Sequence, residues 1–357
     1  MPKKIVHVVG TGTIGEPLIG LLADYREALG FDEITFHKRT PLRSERPKVQ
    51  ALLNRGARLV TDEEAVEGFK AIGLDVDFET VEAIDRASVV IDCTPSGVGH
   101  KNKTKFYHNF DHNTKGFIAQ GSETGFGKPY ARGINDDALI HGEDQFIQVV
   151  SCNTHNLSVL VNTIGLKDEE EGNFRRGRFV CMRRANDLSQ IVDYIPAPEV
   201  GTHKSEKYGT HHAEDAATLF QTVGQDLNLF SSAMKINSQY MHVVHFNLRM
   251  NRPYTMNEVL DKFAANDLVA LTERRMSNQV FSFGRDHGHY GRILNQTVVS
   301  VPSLQLTRDG HELVGFCFTP QDGNSLLSSV AAASWYLYPN SYNQKLQVLA
   351  PWFFNEV

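Results

Sequence analysis

The segment Val149-Val150-Ser151-Cys152-Asn153-Thr154-His155-Asn156 sets one thiol between an apolar run and a stretch able to form a helix. A cysteine at a helix N-terminus feels the positive end of the backbone dipole, which lowers its pKa and populates the nucleophilic thiolate. Such a thiolate attacks an aldehyde carbon, and the thiohemiacetal formed can yield hydride to a nicotinamide. The other cysteines, Cys93, Cys181 and Cys317, lie in apolar strand-like runs without C-x-x-C spacing. That fits buried hydrophobes rather than a zinc knuckle, a redox pair or a disulfide framework. A thiol nucleophile also needs a proton-handling partner. Among 15 histidines the best framed are His211-His212 and the pair His242 and His245 in Met241-His242-Val243-Val244-His245. On a strand His242 and His245 face opposite ways, and on a helix they share a face. No carboxylate or cysteine stands at ligand spacing around either set, so no metal is expected.

A second constellation is Gly10-x-Gly12-x-x-Gly15, with Thr13 and Ile14 inside it, between the β-branched run Lys4–Val9 and the helical pattern Pro17–Ala23. The first glycine permits a tight turn and the second lets the backbone approach a pyrophosphate. The third allows close helix–strand contact, and the helix N-terminus favours the negative charge. This is the pattern of a dinucleotide site. The next strand candidate, Ile34–His37, runs into Lys38-Arg39-Thr40-Pro41 where an NAD-preferring site usually carries an acid. Two cations there would welcome a 2′-phosphate, so NADP is expected, with NAD as the alternative.

These residues need elements to hold them. Further strand candidates Ser88–Cys93, Phe117–Ala119 and Phe146–Val150 alternate with helical or loop stretches, which implies a parallel sheet of the doubly wound kind. After Ser151 a helix over Asn156–Ile164 is followed by strand-like runs at Arg178–Arg183, Ser231–Ile236, Gln296–Val301 and Glu312–Phe318. With no alternating helices between neighbours, an α+β domain on a largely antiparallel sheet is expected. Residues 1–150 then form a Rossmann-like NAD(P)-binding domain and 151–322 a catalytic domain. Residues 323–357 would return to the first as a C-terminal helix, near Ser325–Tyr338, and tail. The length of 357 residues suits two domains at about 150 residues each. A balance of 36 Lys+Arg against 42 Asp+Glu disfavours general nucleic-acid binding. No apolar run is long enough for a bilayer span or a signal peptide, so a cytoplasmic protein is expected, and the acidic run Asp168–Glu171 reads as a solvated turn.

Together the motifs resemble the archaeal-type (type II) phosphorylating glyceraldehyde-3-phosphate dehydrogenases. Val149-Val150-Ser151-Cys152-Asn153-Thr154 reproduces that family's V-V-S-C-N-T segment, the most specific match. Val9–Gly15 resembles its glycine turn, Lys38–Pro41 its Lys-Thr-x-Pro segment, and Asp92–Lys103 its D-A-T-P-G-G-I-G-x-K-N stretch. Gln120-Gly121-Ser122-Glu123 is similar to its Q-G-G-E. The resemblance implies that Cys152 is the acylated nucleophile and that His242, rather than His245, is the catalytic base. It implies that Ser151 and Asn153 flank the aldehyde and that His211 and His212, with Asp215, lie at the substrate phosphate. Thr154 is a further candidate substrate contact, and Arg183, Lys204 and Lys207 are available cations for two phosphate positions. Gly121, Arg184 and Gln321 would join Gly10, Gly12, Thr13, Ile14, Gly15, Lys38 and Arg39 around the cofactor.

The implied activity is reversible oxidation of D-glyceraldehyde 3-phosphate with inorganic phosphate to 1,3-bisphosphoglycerate, by a homotetramer. The departures cluster at the phosphate region. His155-Asn156 replace Thr-Gly, the 201–210 loop is longer, and Ala213-Glu214 replace Gly-Pro. The same chemistry on a semialdehyde or another sugar phosphate is therefore an alternative, as is a non-catalytic dinucleotide-sensing protein.

Overall fold

The computed structural model describes every residue except 1, 2, 111, 113, 122, 168–171 and 187–194. The acidic run 168–171 lies outside the described residues. The chain divides into two compact units, one of Met1–Tyr130, Leu139–Val149 and Leu326–Ala350, the other of Ala131–Ala138, Val150–Ser325 and Pro351–Val357.

The first unit carries β1 (Ile5–Val9), β2 (Glu33–His37), β3 (Arg58–Thr61), β4 (Phe78–Glu79), β5 (Val89–Asp92), β6 (Gly116–Gln120), β7 (Lys128–Tyr130) and β8 (Phe146–Val149). They pair in the order β4-β3-β2-β1-β5-β6-β8-β7, and every pairing is parallel. β1 is buried along its whole length, as a strand covered on both faces must be, which is why it reads as a continuous β-branched run. Strands β3, β4 and β7 were not expected from the sequence. They span two to four residues and include Arg58, Glu79 and Lys128, so no apolar period marks them. Val9 is in register with His37 on β2 and with Asp92 on β5, so the carboxyl ends of the three strands lie level. The strand order reverses at β1, and ligands of open α/β sheets bind outside the carboxyl ends at that switch point. Helix α1 (Gly15–Asp24) follows β1 and buries Leu18, Ile19, Leu21 and Leu22.

The second unit carries helix α2 (Cys152–Val161), strands β9 (Phe174–Arg183) and β10 (Glu199–Val200), helix α3 (His211–Gln221), and strands β11 (Leu229–Lys235), β12 (His242–Met250) and β13 (Val269–Thr272). Helix α4 (Ser277–His287), β14 (Thr297–Ser300), β15 (Gln305–Leu306) and β16 (Glu312–Thr319) follow. The sheet order is β10-β11-β9-β12-β16-β14-β13, with β15 on β16. Most pairings are antiparallel, as expected, but β9/β11 and β13/β14 are parallel. Parallel neighbours need a crossover, and α3 and α4 stand in those connections, so the reading that no helices alternate with these strands is corrected. The helix expected over Asn156–Ile164 starts four residues earlier at Cys152, and the C-terminal helix α5 spans Gly323–Leu337. Leu157, Leu160 and Val161 of α2 and Ala216 and Phe220 of α3 join Val244, Phe246 and Leu248 of β12 in one buried core. Full burial of each large side chain stabilises by about 2 kcal/mol, which fixes both helices to the sheet. Among the described residues no helix is long and apolar enough to cross a membrane.

Candidate active site

Cys152 is the first residue of the ten-residue helix α2, and Ser151 is its N-cap, with Oγ accepting from the Thr154 backbone N–H at 3.2 Å. Buried His155 extends the clamp, its Nδ1 lying 3.0 Å from the Ser151 carbonyl oxygen. Burial pushes the His155 pKa down to about 4, so the ring is neutral at neutral pH and Nδ1 is the donor. The thiol is therefore held at the end of the helix where partial positive charge collects. Asn324 Nδ2 donates to the Cys152 carbonyl oxygen at 2.9 Å.

A buried relay runs from this helix into the sheet. Cys317 Sγ donates to Asn156 Oδ1 (3.2 Å), Asn156 Nδ2 to Thr319 Oγ1 (2.7 Å), and Thr319 Oγ1 to Asn153 Oδ1 (3.0 Å). Because Thr319 spends its single proton on Asn153 Oδ1, that oxygen is fixed toward the sheet and the Asn153 Nδ2 group is turned away from it. Thr319 is also the register partner of His242 across β16 and β12, so the relay brings the start of α2 to the strand end that bears His242.

His242 opens β12, and its Nδ1 accepts from the Arg184 backbone N–H at 2.9 Å. A neutral ring so held carries its proton on Nε2. Burial, then Arg184, Arg183 and His212, keep the His242 pKa well below its ordinary value, so the ring is neutral at physiological pH. The Arg184 side chain is buried in an ion pair with Asp322 at 3.1 Å. Asp322 has φ +56°, one of two non-glycine residues in the left-handed region among those described. His245 faces the other way, against Phe316, as alternation on a strand requires.

His211 and His212 are the first two residues of α3, with ring centroids 4.0 Å apart. His212 is 3% exposed, yet neither ring nitrogen has a hydrogen-bond partner among the described residues. Burial, His211 and Arg183 hold its pKa well below the usual range. An unsatisfied buried imidazole beside Arg183 at a helix N-terminus is a receiver for a polar ligand, and the dipole there favours an anion. Gln321 is likewise buried, with Oε1 lacking a partner among the described residues.

One turn into α3, burial and the neighbouring Glu214 push the Asp215 carboxyl up to about 7. The folded chain holds this proton up to about pH 7, whereas the unfolded chain releases it near 3.8, so stability falls as pH rises between those values. Asp215→Asn is expected to melt above the wild type at pH 8 and level with it at pH 4. Thermal melts at the two pH values check this.

The first unit holds the glycine turn. Gly10 has φ +98°, and a Cβ on Gly15 would stand 2.0 Å from the Gly10 carbonyl oxygen. A Cβ on Gly12 would meet nothing within 4 Å, so the backbone there is open to a ligand. These features, with Thr13 and Ile14 leading into α1, fit a pyrophosphate. Lys38 is buried just beyond β2 and Arg39 beside it is exposed. Gly121 follows β6, its carbonyl oxygen accepting from Gln148 Nε2 at 3.0 Å.

No family model matches the chain. The chain is similar to curated proteins named glyceraldehyde-3-phosphate dehydrogenase. It is 28% identical to that of Pyrobaculum calidifontis over 286 residues, covering 75% of this chain and 72% of the relative. With that of Pyrobaculum islandicum it shares 24% over 328 residues, covering 87% and 84%. With glyceraldehyde-3-phosphate dehydrogenase 2 of Methanosarcina barkeri it shares 28% over 298 residues, covering 81% and 80%.

The geometry thus groups Ser151, Cys152, Asn153 and Thr154 on one helix end, with Arg183, Arg184, His242 and Gln321 on the second unit's strand ends and the loops that follow them. Thr319, Asn324 and Asp322 also shape this end of the unit, and sequence reasoning gave the first two no role. Thr319 closes an apolar strand before Pro320, a position that signals only a strand end. Asn156 was noted as a replacement, but its partner 163 residues away leaves no local trace.

Proposed function

We propose that this chain catalyses the reversible phosphorylating oxidation of D-glyceraldehyde 3-phosphate to 1,3-bisphosphoglycerate. The observation that carries the reading is Cys152 at the head of α2, tied through Asn153 and Thr319 to the strand end that bears His242. The names of the relatives supply the substrate. The Cys152 thiolate attacks the aldehyde carbon, and negative charge develops on the carbonyl oxygen. The hydrogen bond from Arg184 N–H to His242 Nδ1 supports Nε2–H as a donor to that oxygen. This modifies the base role implied by the resemblance, since a neutral ring so held has no lone pair at Nε2. No base is required at this step: the thiol releases its proton to solvent before attack, and the alkoxide loses hydride directly as the thioester carbonyl forms. Bound NAD(P) supplies the hydride acceptor. Inorganic phosphate then attacks the Cys152 thioester carbonyl, the thiolate leaves, and Nε2–H again meets the developing charge. Arg183, His211 and His212, with Lys204 and Lys207 on the neighbouring loop, are the groups proposed to bind the two phosphates.

Gly10, Gly12, Thr13, Ile14, Gly15, Gly121, Arg184 and Gln321 are the residues proposed to bind the cofactor. Lys38 and Arg39 support NADP over NAD. His242→Ala is expected to lower kcat about a hundredfold with a small change in KM, since a donor to a developing oxyanion acts in the transition state. Steady-state kinetics check this, and an unchanged kcat would remove His242 from the reaction. The replacements at His155 and Asn156 favour one second reading, the same chemistry on another aldehyde. A panel of semialdehydes and sugar phosphates, with and without phosphate, separates the two. We further propose the homotetramer of the resembling family, in the cytoplasm; sedimentation at the mass of one 40.0 kDa chain would contradict that assembly.

A further inference from the structure

Two lysines beside the glycine turn, Lys38 just beyond β2 and Lys48, are already engaged, while Arg39 is exposed. Lys38 Nζ lies 2.9 Å from Glu45 Oε2 and 3.4 Å from Thr11 Oγ1 of the glycine turn. Lys48 Nζ lies 3.3 Å from the same Glu45 oxygen, 3.3 Å from Glu16 Oε2 and 3.1 Å from the Thr11 carbonyl oxygen. One carboxylate oxygen thus bridges two lysines beside the turn, and two lysines are balanced by two acids. The hydrogen bond from Lys38 is the main cause holding the Glu45 carboxyl below its ordinary range, so it is ionised at neutral pH.

The position is informative because the end of the second strand of a dinucleotide fold is where the adenosine ribose is read. An acid there accepts from the 2′-hydroxyl, and a cation receives a 2′-phosphate. Here both are present and bound to each other. A 2′-phosphate that draws on Lys38 or Lys48 has to compete with Glu45 for it and then lies beside that carboxylate. A 2′-hydroxyl leaves the bridge intact and can donate to it.

We propose that Glu45 is the residue that sets selectivity between dinucleotides with and without a 2′-phosphate, by holding the lysines that would otherwise favour the phosphorylated form. The inference rests on the reading that the glycine turn binds NAD(P). It predicts that the wild type accepts both cofactors with a narrow preference, although Lys38 and Arg39 read by themselves point to NADP.

The test is calorimetric titration of the full chain with ADP-ribose and with 2′-phospho-ADP-ribose, which report binding without turnover. Glu45→Gln is expected to tighten 2′-phospho-ADP-ribose about tenfold and to leave ADP-ribose unchanged or weaker. Lys38→Met, in the opposite sense, is expected to weaken only the phosphorylated ligand, and it tests the site if Glu45→Gln does not fold. Equal shifts for both ligands, or none, in a folded variant would overturn the proposal while leaving dinucleotide binding intact. Failure of the wild type to bind either ligand would instead overturn the reading on which it rests.

Discussion

Cys152→Ser is expected to lower turnover of glyceraldehyde 3-phosphate by at least about a thousandfold. The substitution keeps the helix cap and the packing and changes one atom, so the loss reads the chemistry of sulfur. A helix N-terminus populates a thiolate near neutral pH but cannot ionise a hydroxyl to a useful extent. The other thiols offer no substitute. Cys181 and Cys317 are buried, and burial pushes the Cys317 thiol up to about 12 and raises Cys181 as well. Burial, with Asp92 beside it, raises Cys93 in the first unit. Iodoacetamide at neutral pH should accordingly label Cys152 first, as mass spectrometry of the digested chain can read. Turnover of the serine variant within tenfold of the wild type would show that the nucleophile lies elsewhere.

Asp322→Ala should cost about 3 to 5 kcal/mol of stability, the range for breaking a buried ion pair by removing one partner. Its carboxylate and the Arg184 guanidinium are 7% and 4% exposed, so water cannot replace the lost partner. The backbone of residue 322 is in the left-handed region, φ +56°, so Asp322→Gly serves as a control that relaxes the turn and still removes the charge. If the charge dominates, both variants lose similar stability in urea unfolding. Because the Arg184 N–H holds His242, both should also lose activity under conditions where they remain folded. A loss below about 1 kcal/mol in either would mean that Asp322 is not the partner that stabilises the buried Arg184 guanidinium.

Local chemistry explains what could be read from the sequence. The β-branched run before Gly10, the helix after it and the thiol at the head of α2 each announce themselves within a few residues, because strand period, glycine conformation and N-capping are short-range effects. Strands β3, β4 and β7 are too short and too charged to show a period. The parallel pairs β9/β11 and β13/β14 depend on which strands meet, which no local pattern encodes. At the site, the roles of Cys152 and His242 were proposed from motif and resemblance. The orientation of the His242 ring is set by a backbone N–H 58 residues away, and the Asn153 amide by Thr319 at a separation of 166. Glu45 is intermediate: its spacing of three from Lys48 on adjoining helical turns could have been noticed, but Lys38 and Thr11 are brought to it only by the fold.

The central claim is an acyl-thioester on Cys152 that phosphate resolves. Rapid mixing of the protein with glyceraldehyde 3-phosphate and NADP or NAD, without phosphate, should release a burst of about one equivalent of reduced cofactor per chain and then stall. Intact-mass analysis should find the acyl group on Cys152, and adding phosphate should restart turnover. Sustained oxidation without phosphate, with no adduct on Cys152, would contradict the account.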